Sequence, residues 1–171
     1  MDTKIRREKI HNLLNEACEP ISASALAEEF SVSRQIIVGD IALLRAGGSP
    51  VTATPRGYVL KSESSKSFPY IGLIACKHDM NGLKKELYAI VDYGGTVIDV
   101  IVEHSIYGQL SGLLNIASRY DADQFMEKVN SQEARPLSNL TGGIHLHHIG
   151  CKNIVSFGII KNKLEELGVS L

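Results

Sequence analysis

Residues 23–45 read ASALAEEFSVSRQIIVGDIALLR and determine the architecture of the first part of the chain. It carries apolar residues at helical spacing on both sides of a short turn at residues 31 and 32. These are Ala23, Leu26, Ala27 and Phe30 before the turn, and Ile37, Ile41 and Leu44 after it. Ser33 can cap the second segment, because a serine hydroxyl accepts a hydrogen bond from the first free N–H groups of a helix. The stretch therefore predicts two helices joined by a tight turn.

The sequence on either side of this pair completes a small domain. An earlier amphipathic helix is indicated by Ile10, Leu13, Leu14 and Ala17, which follow the same i, i+3, i+4, i+7 template. After the pair, residues 46–50 (AGGSP) end the helix, and two short β-prone runs, 51–53 and 58–60, flank a turn at 54–57. Three helices followed by a β-hairpin predict a winged helix-turn-helix domain over residues 1–60.

A change of composition follows this domain. Residues 61–67 read KSESSKS and contain no apolar residue, which is typical of a solvated linker. We therefore predict a linker at 61–68 and a second domain at 69–171.

The second domain is predicted to alternate strands and helices in the order β-α-β-β-α-β-α. The predicted strands are 70–76, 96–102, 107–116 and 144–149, and the predicted helices are one capped by Asn81, 121–129 and 155–167. This order predicts an α+β domain with helices on one face of an antiparallel sheet, in the ferredoxin-like manner.

Amino-acid composition limits the classes of protein to which the chain can belong. The chain has 171 residues, 44% of them apolar and 22% charged, which suits one or two globular domains and disfavours intrinsic disorder. No run of apolar residues is long enough to cross a membrane, and the charged first residues do not resemble a secretion signal. Three scattered cysteines suit reduced thiols. We therefore expect a cytoplasmic protein without membrane contact.

The first domain has residues suited to reading DNA. Its net charge is balanced, with seven basic and seven acidic residues within 1–60, so DNA binding must come from a local patch. Ser33, Arg34 and Gln35 lie in the first turn of the third helix, where a recognition helix contacts base edges and phosphates. Arg56, in the hairpin turn, is placed to reach a phosphate or a narrow minor groove. The alternative is a winged helix used for protein contacts.

A group of histidines marks the second domain. In GIHLHHI, residues 143–149, the period of a strand places His145 and His147 on one face and His148 on the other. If the first and fourth strands of the domain are close, His78 and Glu86 can join the first two histidines in a set suited to Zn²⁺, Ni²⁺ or Fe²⁺. Strand histidines are also common as hydrogen-bonded structural residues, so spacing leaves both interpretations open.

Two further residues are candidates for contact with a small ligand. His104 lies at a predicted strand end, where a polar group can face a pocket, and Tyr107 follows shortly after it. We treat both as candidate effector-binding residues.

The sequence resembles the niacin-responsive transcriptional repressors, which join a biotin-repressor-like winged helix to a three-histidine regulatory domain. The resemblance is carried in order along the chain by residues 32–38 with 40–41, 57–59, 99–100, 103–104 with 107–108, and 140–141 with 143–147. The sequence departs from the usual pattern at Gly39, Ser105 and His148.

The resemblance implies a homodimeric repressor that binds operator DNA with nicotinic acid as corepressor and controls genes of NAD biosynthesis or niacin uptake. It also implies one divalent transition metal per chain, nickel or zinc with iron as a further option, held by His78, Glu86, His145 and His147.

Two other functions fit the same cluster. Three histidines and a carboxylate also suit a small metal-dependent hydrolase, although every general base near the cluster is itself a proposed ligand. A regulator that responds to the metal itself is the other alternative.

Overall fold

The computed structural model describes residues 2–60, 67–131 and 134–171. The chain divides into two compact units, Met1–Lys66 and Ser67–Leu171. Most of the predicted linker, residues 61–66, lies outside the described residues. Phe68, its last residue, packs its ring over Gly150, close enough that a Cβ at 150 would lie 2.4 Å from it. The second unit therefore begins before residue 69.

The first unit has the predicted winged helix-turn-helix order. Its helices are α1 (Thr3–Glu16), α2 (Ala23–Glu29) and α3 (Arg34–Ala46), and its antiparallel hairpin consists of β1 (Val51–Thr54) and β2 (Gly57–Leu60). Serine hydroxyls cap the two helices of the pair: Ser22 Oγ accepts from the Ala25 N–H at 3.0 Å, and Ser33 Oγ accepts from the Ile36 N–H at 3.3 Å. The helices pack on a core of Ile10, Leu14, Leu26, Ile37, Ile41 and Val51.

The second unit has the predicted succession of strands and helices. These are β3 (Tyr70–Lys77), α4 (Met80–Asp92), β4 (Thr96–His104), β5 (Gly108–Ile116), α5 (Arg119–Ser131), β6 (Ile144–Cys151) and α6 (Ile154–Glu166), with a 3₁₀ helix at Leu137–Thr141. The sequence favoured Asn81 as the cap of α4, but the cap is Asp79. Its Oδ1 accepts from the N–H groups of Asn81 and Gly82, at 2.9 and 3.2 Å. An ionised carboxylate accepts these bonds more strongly than an asparagine amide would.

The four strands form one antiparallel sheet in the order β3-β6-β4-β5. This confirms the α+β class. The central strands are β6 and β4, the last and second strands of the unit, whereas the ferredoxin-like order has its first and third strands at the centre. The difference arises because β6 pairs with both β3 and β4, which leaves β5 at the edge.

The core of this unit lies between the sheet and its helices. Ile74, Val97 and Ile149 point to the helix side of the sheet and pack in one cluster with Leu87 of α4 and Ile160 of α6. Residues of α5 belong to the same cluster, so the three helices cover one face, as predicted. The opposite face carries Ile71 and Leu73, each 52% exposed.

Among the residues that the structure describes, no helix combines the length and apolarity that a membrane span requires.

Helix α3 contains a glycine at position 39, where a substitution can measure how much glycine lowers the stability of the helix. Gly39 is exposed, and a Cβ placed there would meet nothing within 4 Å. We expect Gly39→Ala to raise the free energy of unfolding of the first unit by about 1 kcal/mol, because alanine orders a helix at lower entropic cost. Ala42→Gly, on the same exposed face, should lower it by about the same amount. Denaturant unfolding of the intact protein, followed by circular dichroism, measures both; an unchanged or lower stability of Gly39→Ala would contradict the open environment of residue 39.

Candidate nucleic-acid interface and metal centre

The exposed face of α3 presents the residues that the sequence selected for DNA contact. Ser33 caps the helix, and Arg34 and Gln35 lie exposed in its first turn. Along the helix, Gly39 and Ala42 continue the exposed face on which Gln35 lies. This face therefore combines hydrogen-bonding side chains at its start with small residues farther along, a shape that can enter a groove closely.

Arg56 lies in the turn of the β1-β2 hairpin. Its Nη1 is 3.4 Å from Glu19 Oε2, and the two side chains are 52% and 77% exposed. An exposed ion pair of this kind contributes little to stability, about 0 to 1 kcal/mol. The guanidinium can therefore exchange Glu19 for a phosphate.

A buried ion pair that the sequence pattern did not predict fixes α3 against α1. Arg6 Nε donates to Asp40 Oδ2 at 2.6 Å, and Arg7 Nη1 lies 3.7 Å from the other oxygen. The hydrogen bond to Asp40 raises the pKa of Arg6. A signal was present in the sequence: Asp40 interrupts the apolar stripe between Ile37 and Ile41, and a charged residue on a buried stripe requires a partner.

The predicted histidine cluster is assembled in the second unit. His145 and His147 extend from the helix side of β6, His78 follows β3, and Glu86 lies in α4. Glu86 is completely buried, and its two oxygens face all three rings. His78 Nε2 is 2.7 Å from Oε2, while the Nε2 atoms of His145 and His147 are 3.0 and 3.4 Å from Oε1.

Backbone carbonyls fix the orientation of each ring. The Nδ1 atoms of His78, His145 and His147 donate to the carbonyl oxygens of Asp79, Gly143 and Asp99, at 2.7, 2.8 and 2.5 Å. Because a carbonyl can only accept, Nδ1 carries the proton in each ring, and the Nε2 of a neutral ring is left with a lone pair. Three lone pairs directed at a carboxylate require positive charge between them, supplied either by protons or by a metal ion.

The electrostatics of the cluster show the same requirement. Burial acts to raise the pKa of Glu86, yet its interactions with His145, His147 and His78 hold that pKa well below its usual range. Burial acts to lower the pKa of His78 and of His147, but Glu86 outweighs it and the pKa of each ring is raised. The carboxylate is therefore ionised, and it favours the protonated, positively charged forms of His78 and His147.

The residues fit a transition metal. His147 Nε2 is buried without a hydrogen-bond partner among the described residues, although it points toward Glu86. A buried ring nitrogen without a partner indicates that something else occupies the space it faces. Together with the two other imidazoles and the carboxylate, it forms the donor set that Zn²⁺, Ni²⁺ and Fe²⁺ prefer.

Two glycines make room for His78. A Cβ at Gly82 would lie 2.5 Å from the Cβ of His78, and one at Gly143 would lie 2.4 Å from its carbonyl oxygen. Gly143 also has φ +94°, which disfavours any other residue. Glycine at 82 therefore lets the first turn of α4 approach His78, and glycine at 143 does the same for the start of β6.

His148 lies on the opposite face of the sheet, as the strand period predicted. Its Nδ1 is 2.8 Å from Asp99 Oδ2, and its backbone N–H donates to Oδ1 at 2.9 Å. Asp99 thus holds His148 with its side chain and His147 with its carbonyl. The sequence did not reveal this role, because it depends on how β4 aligns with β6.

His104 and Tyr107 lie at the β4-β5 turn, beside an open cleft of about 860 Å³. The cleft is lined by residues 101–106, 108, 141 and 144–146, so His104 borders it and Tyr107 does not. Tyr107 is 72% exposed and packs on the His104 ring with centroids 5.1 Å apart. His104 Nδ1 accepts from the N–H groups of Ile106 and Tyr107, at 3.1 and 3.3 Å, which leaves Nε2 as the donor of the neutral ring.

The cleft also reaches His145, which belongs to the buried cluster. The cleft and the cluster therefore share a residue.

Cys76 is a further residue of this region that the sequence pattern did not predict. It lies on β3 directly opposite His145 on β6, on the helix side of the sheet. Donor atoms of Cys76, Glu86 and His145 all lie within 4.8 Å of one another. Burial and the neighbouring carboxylate raise the pKa of this thiol.

Comparisons with known proteins match each of the two units to a known domain family. A model of an HTH domain matches residues 6–59, and a model of the 3H domain matches residues 72–171, more than half of the chain. The probable transcription repressor NiaR of Thermotoga maritima is 40% identical over 166 residues, which cover 95% of this chain and 91% of that protein. The transcription repressor NadR of Bacillus subtilis is 37% identical over 165 residues, covering 96% and 92%.

The chain is thus a transcription repressor that joins a DNA-binding helix-turn-helix to a 3H domain. It belongs to the NiaR/NadR family. These relatives are repressors and not enzymes, so the hydrolase alternative is not retained.

The exposed start of α3 leads to a prediction for Arg34. We expect Arg34→Ala to lose about 1–3 kcal/mol of discrimination at one base pair, because a bidentate contact to guanine is removed. Arg34→Lys is the matched control: it keeps the charge for phosphates but lacks the planar fork, so it should recover affinity without recovering discrimination. Fluorescence anisotropy on the operator and on single-base variants of it measures both quantities. Unchanged discrimination in Arg34→Ala would remove this residue from base recognition.

Proposed function

We propose that this repressor holds one divalent transition metal per chain and binds operator DNA as a homodimer in response to nicotinic acid. The genes it would control are those of NAD biosynthesis or niacin uptake. The observation that carries the proposal is the convergence of three imidazole rings on Glu86: each ring is anchored to the backbone at Nδ1 and faces the carboxylate with Nε2.

The proposed ligands are His78, Glu86, His145 and His147. Each ring is already in the tautomer that ligation through Nε2 needs, since its Nδ1 donates to a carbonyl. The carboxylate is buried and ionised, so an ion entering the cluster would balance its charge without ordering new groups. Nickel and zinc fit this set best, with iron as a further option.

The proposed effector site is the cleft beside the cluster. A bound metal would offer a coordination position to the carboxylate of nicotinic acid, which would give the effector a reason to prefer the loaded protein. His104, which borders the cleft, has Nε2–H available as a hydrogen-bond donor to the effector. The aromatic ring of Tyr107 lies just outside the cleft lining and covers one side of His104. We therefore retain His104 as the first candidate for effector contact and Tyr107 as its neighbour.

The proposed DNA contacts are those of Ser33, Arg34, Gln35 and Arg56. Two copies of a helix-turn-helix read two half-sites of a palindrome, and the spacing of the two reading heads decides the affinity. Nicotinic acid would act by favouring one arrangement of the subunits, and it can shift that equilibrium only through a different affinity for the two arrangements.

A titration of the intact protein tests the proposed response. We expect nicotinate to strengthen operator binding of the metal-loaded protein by roughly 5- to 150-fold, the usual range of allosteric coupling. Nicotinamide, which lacks the carboxylate, is the matched control and should have no such effect. Fluorescence anisotropy on an operator fragment, with the oligomeric state followed by sedimentation, provides the measurement.

Removing the metal with a chelator should abolish the response without unfolding the protein, because each unit has an apolar core of its own. A full response to metal without nicotinate would favour a metal-responsive regulator instead. Retention of the original nicotinate affinity after chelation would contradict the carboxylate-on-metal proposal.

The histidines of β6 provide a separate prediction for the metal. We expect His145→Ala and His147→Ala to lose most of the bound metal, because each removes a ligand. His148→Ala should retain it, since that side chain lies on the other sheet face, paired with Asp99. Metal analysis of the purified variants distinguishes the cases. An equal loss in all three variants would contradict the assignment of the metal ligands by sheet face.

A further inference from the structure

We propose that Cys76 is a further ligand of this metal centre, adding a thiolate to the three imidazoles and the carboxylate. The inference rests on the proposed metal function and specifies its donor set. With Cys76, the donor set would include sulfur, which is a softer donor than the nitrogen and oxygen atoms of the other four ligands.

The first observation is the placement of the thiol. Cys76 is fully buried and lies opposite His145 in the β3-β6 pairing, so both side chains leave the sheet on the same side. Its donor atom and those of Glu86 and His145 lie within 4.8 Å of one another. Neighbouring donor atoms of a tetrahedral zinc ion lie roughly 3.3 to 3.8 Å apart, given zinc bonds of about 2.0 to 2.3 Å. Small side-chain adjustments would therefore bring all three donors onto one ion.

The second observation is independent of the cysteine. His147 Nε2 is buried, points into the same cluster and has no hydrogen-bond partner among the described residues. A buried polar atom without a partner is unfavourable unless something occupies the space it faces. The thiol thus lies beside a buried space in which a bound cation would give His147 Nε2 a partner.

The consequence concerns metal choice. Three imidazoles and a carboxylate already suit Zn²⁺, Ni²⁺ and Fe²⁺, and a thiolate disfavours hard ions such as magnesium and calcium still further. Cys76 would therefore strengthen the preference of the site for a borderline transition metal such as zinc. The thiol loses its proton to solvent when it binds the ion, so the ligand is the thiolate.

Cobalt substitution of the intact protein tests the proposal. Co²⁺ bound by the cluster gives ligand-field bands in the visible region, and a coordinated thiolate adds a charge-transfer band in the near ultraviolet. We expect the unmodified protein to show both. Cys76→Ser should keep the visible bands and lose the charge-transfer band completely, and Cys76→Ala should behave in the same way if serine disturbs folding.

Cys151→Ser is the matched control. Cys151 is buried on the same side of the same sheet, but it lies opposite Tyr70 at the other end of β6. Its substitution should leave both sets of bands unchanged.

The outcomes separate the two proposals. Visible bands without a charge-transfer band in the unmodified protein would overturn the role of Cys76 and leave the metal centre standing. A charge-transfer band that survives in Cys76→Ala would also overturn it. The absence of both kinds of band would overturn the metal centre itself.

Discussion

The second unit depends on one buried carboxylate. Glu86 has no exposed surface, so the charge that it carries must be balanced inside the protein. The balance comes from His145 and His147 on β6 and from His78 after β3, which means that α4 is tied electrostatically to the sheet on which it packs. Packing in the core does not by itself require a charge at position 86. The three histidines that face Glu86 therefore explain why a carboxylate stands at this position.

The sheet positions this cluster through its unusual strand order. Because β6 lies between β3 and β4, its two inward histidines have a neighbour on each side. On one side, β3 places Cys76 opposite His145. On the other, β4 supplies the Asp99 carbonyl that orients His147. A histidine pair on an edge strand would lack one of these two partners.

The sequence predicted those features that depend on local periodicity. Helical spacing gave the helix-turn-helix and its cap at Ser33, and strand alternation placed His145 and His147 on the opposite face from His148. The remaining features depend on pairing between distant segments, which periodicity does not encode. The register that sets Cys76 against His145, the double role of Asp99 and the central place of β6 are of this kind. The Arg6–Asp40 pair is intermediate, since Asp40 on an apolar stripe indicated a buried partner but not which one.

The carbonyl anchors of the three rings have a kinetic consequence. An exposed histidine turns about its side-chain bonds in picoseconds to nanoseconds. Here each ring is held at Nδ1 by the backbone of Asp79, Gly143 or Asp99, so a ring can turn away only when that hydrogen bond breaks. Two of the anchors belong to the sheet region, Gly143 just before β6 and Asp99 on the neighbouring β4. In the proposed metal centre, loss of the ion would therefore wait on local opening of the backbone around each ring, a slower process than side-chain rotation.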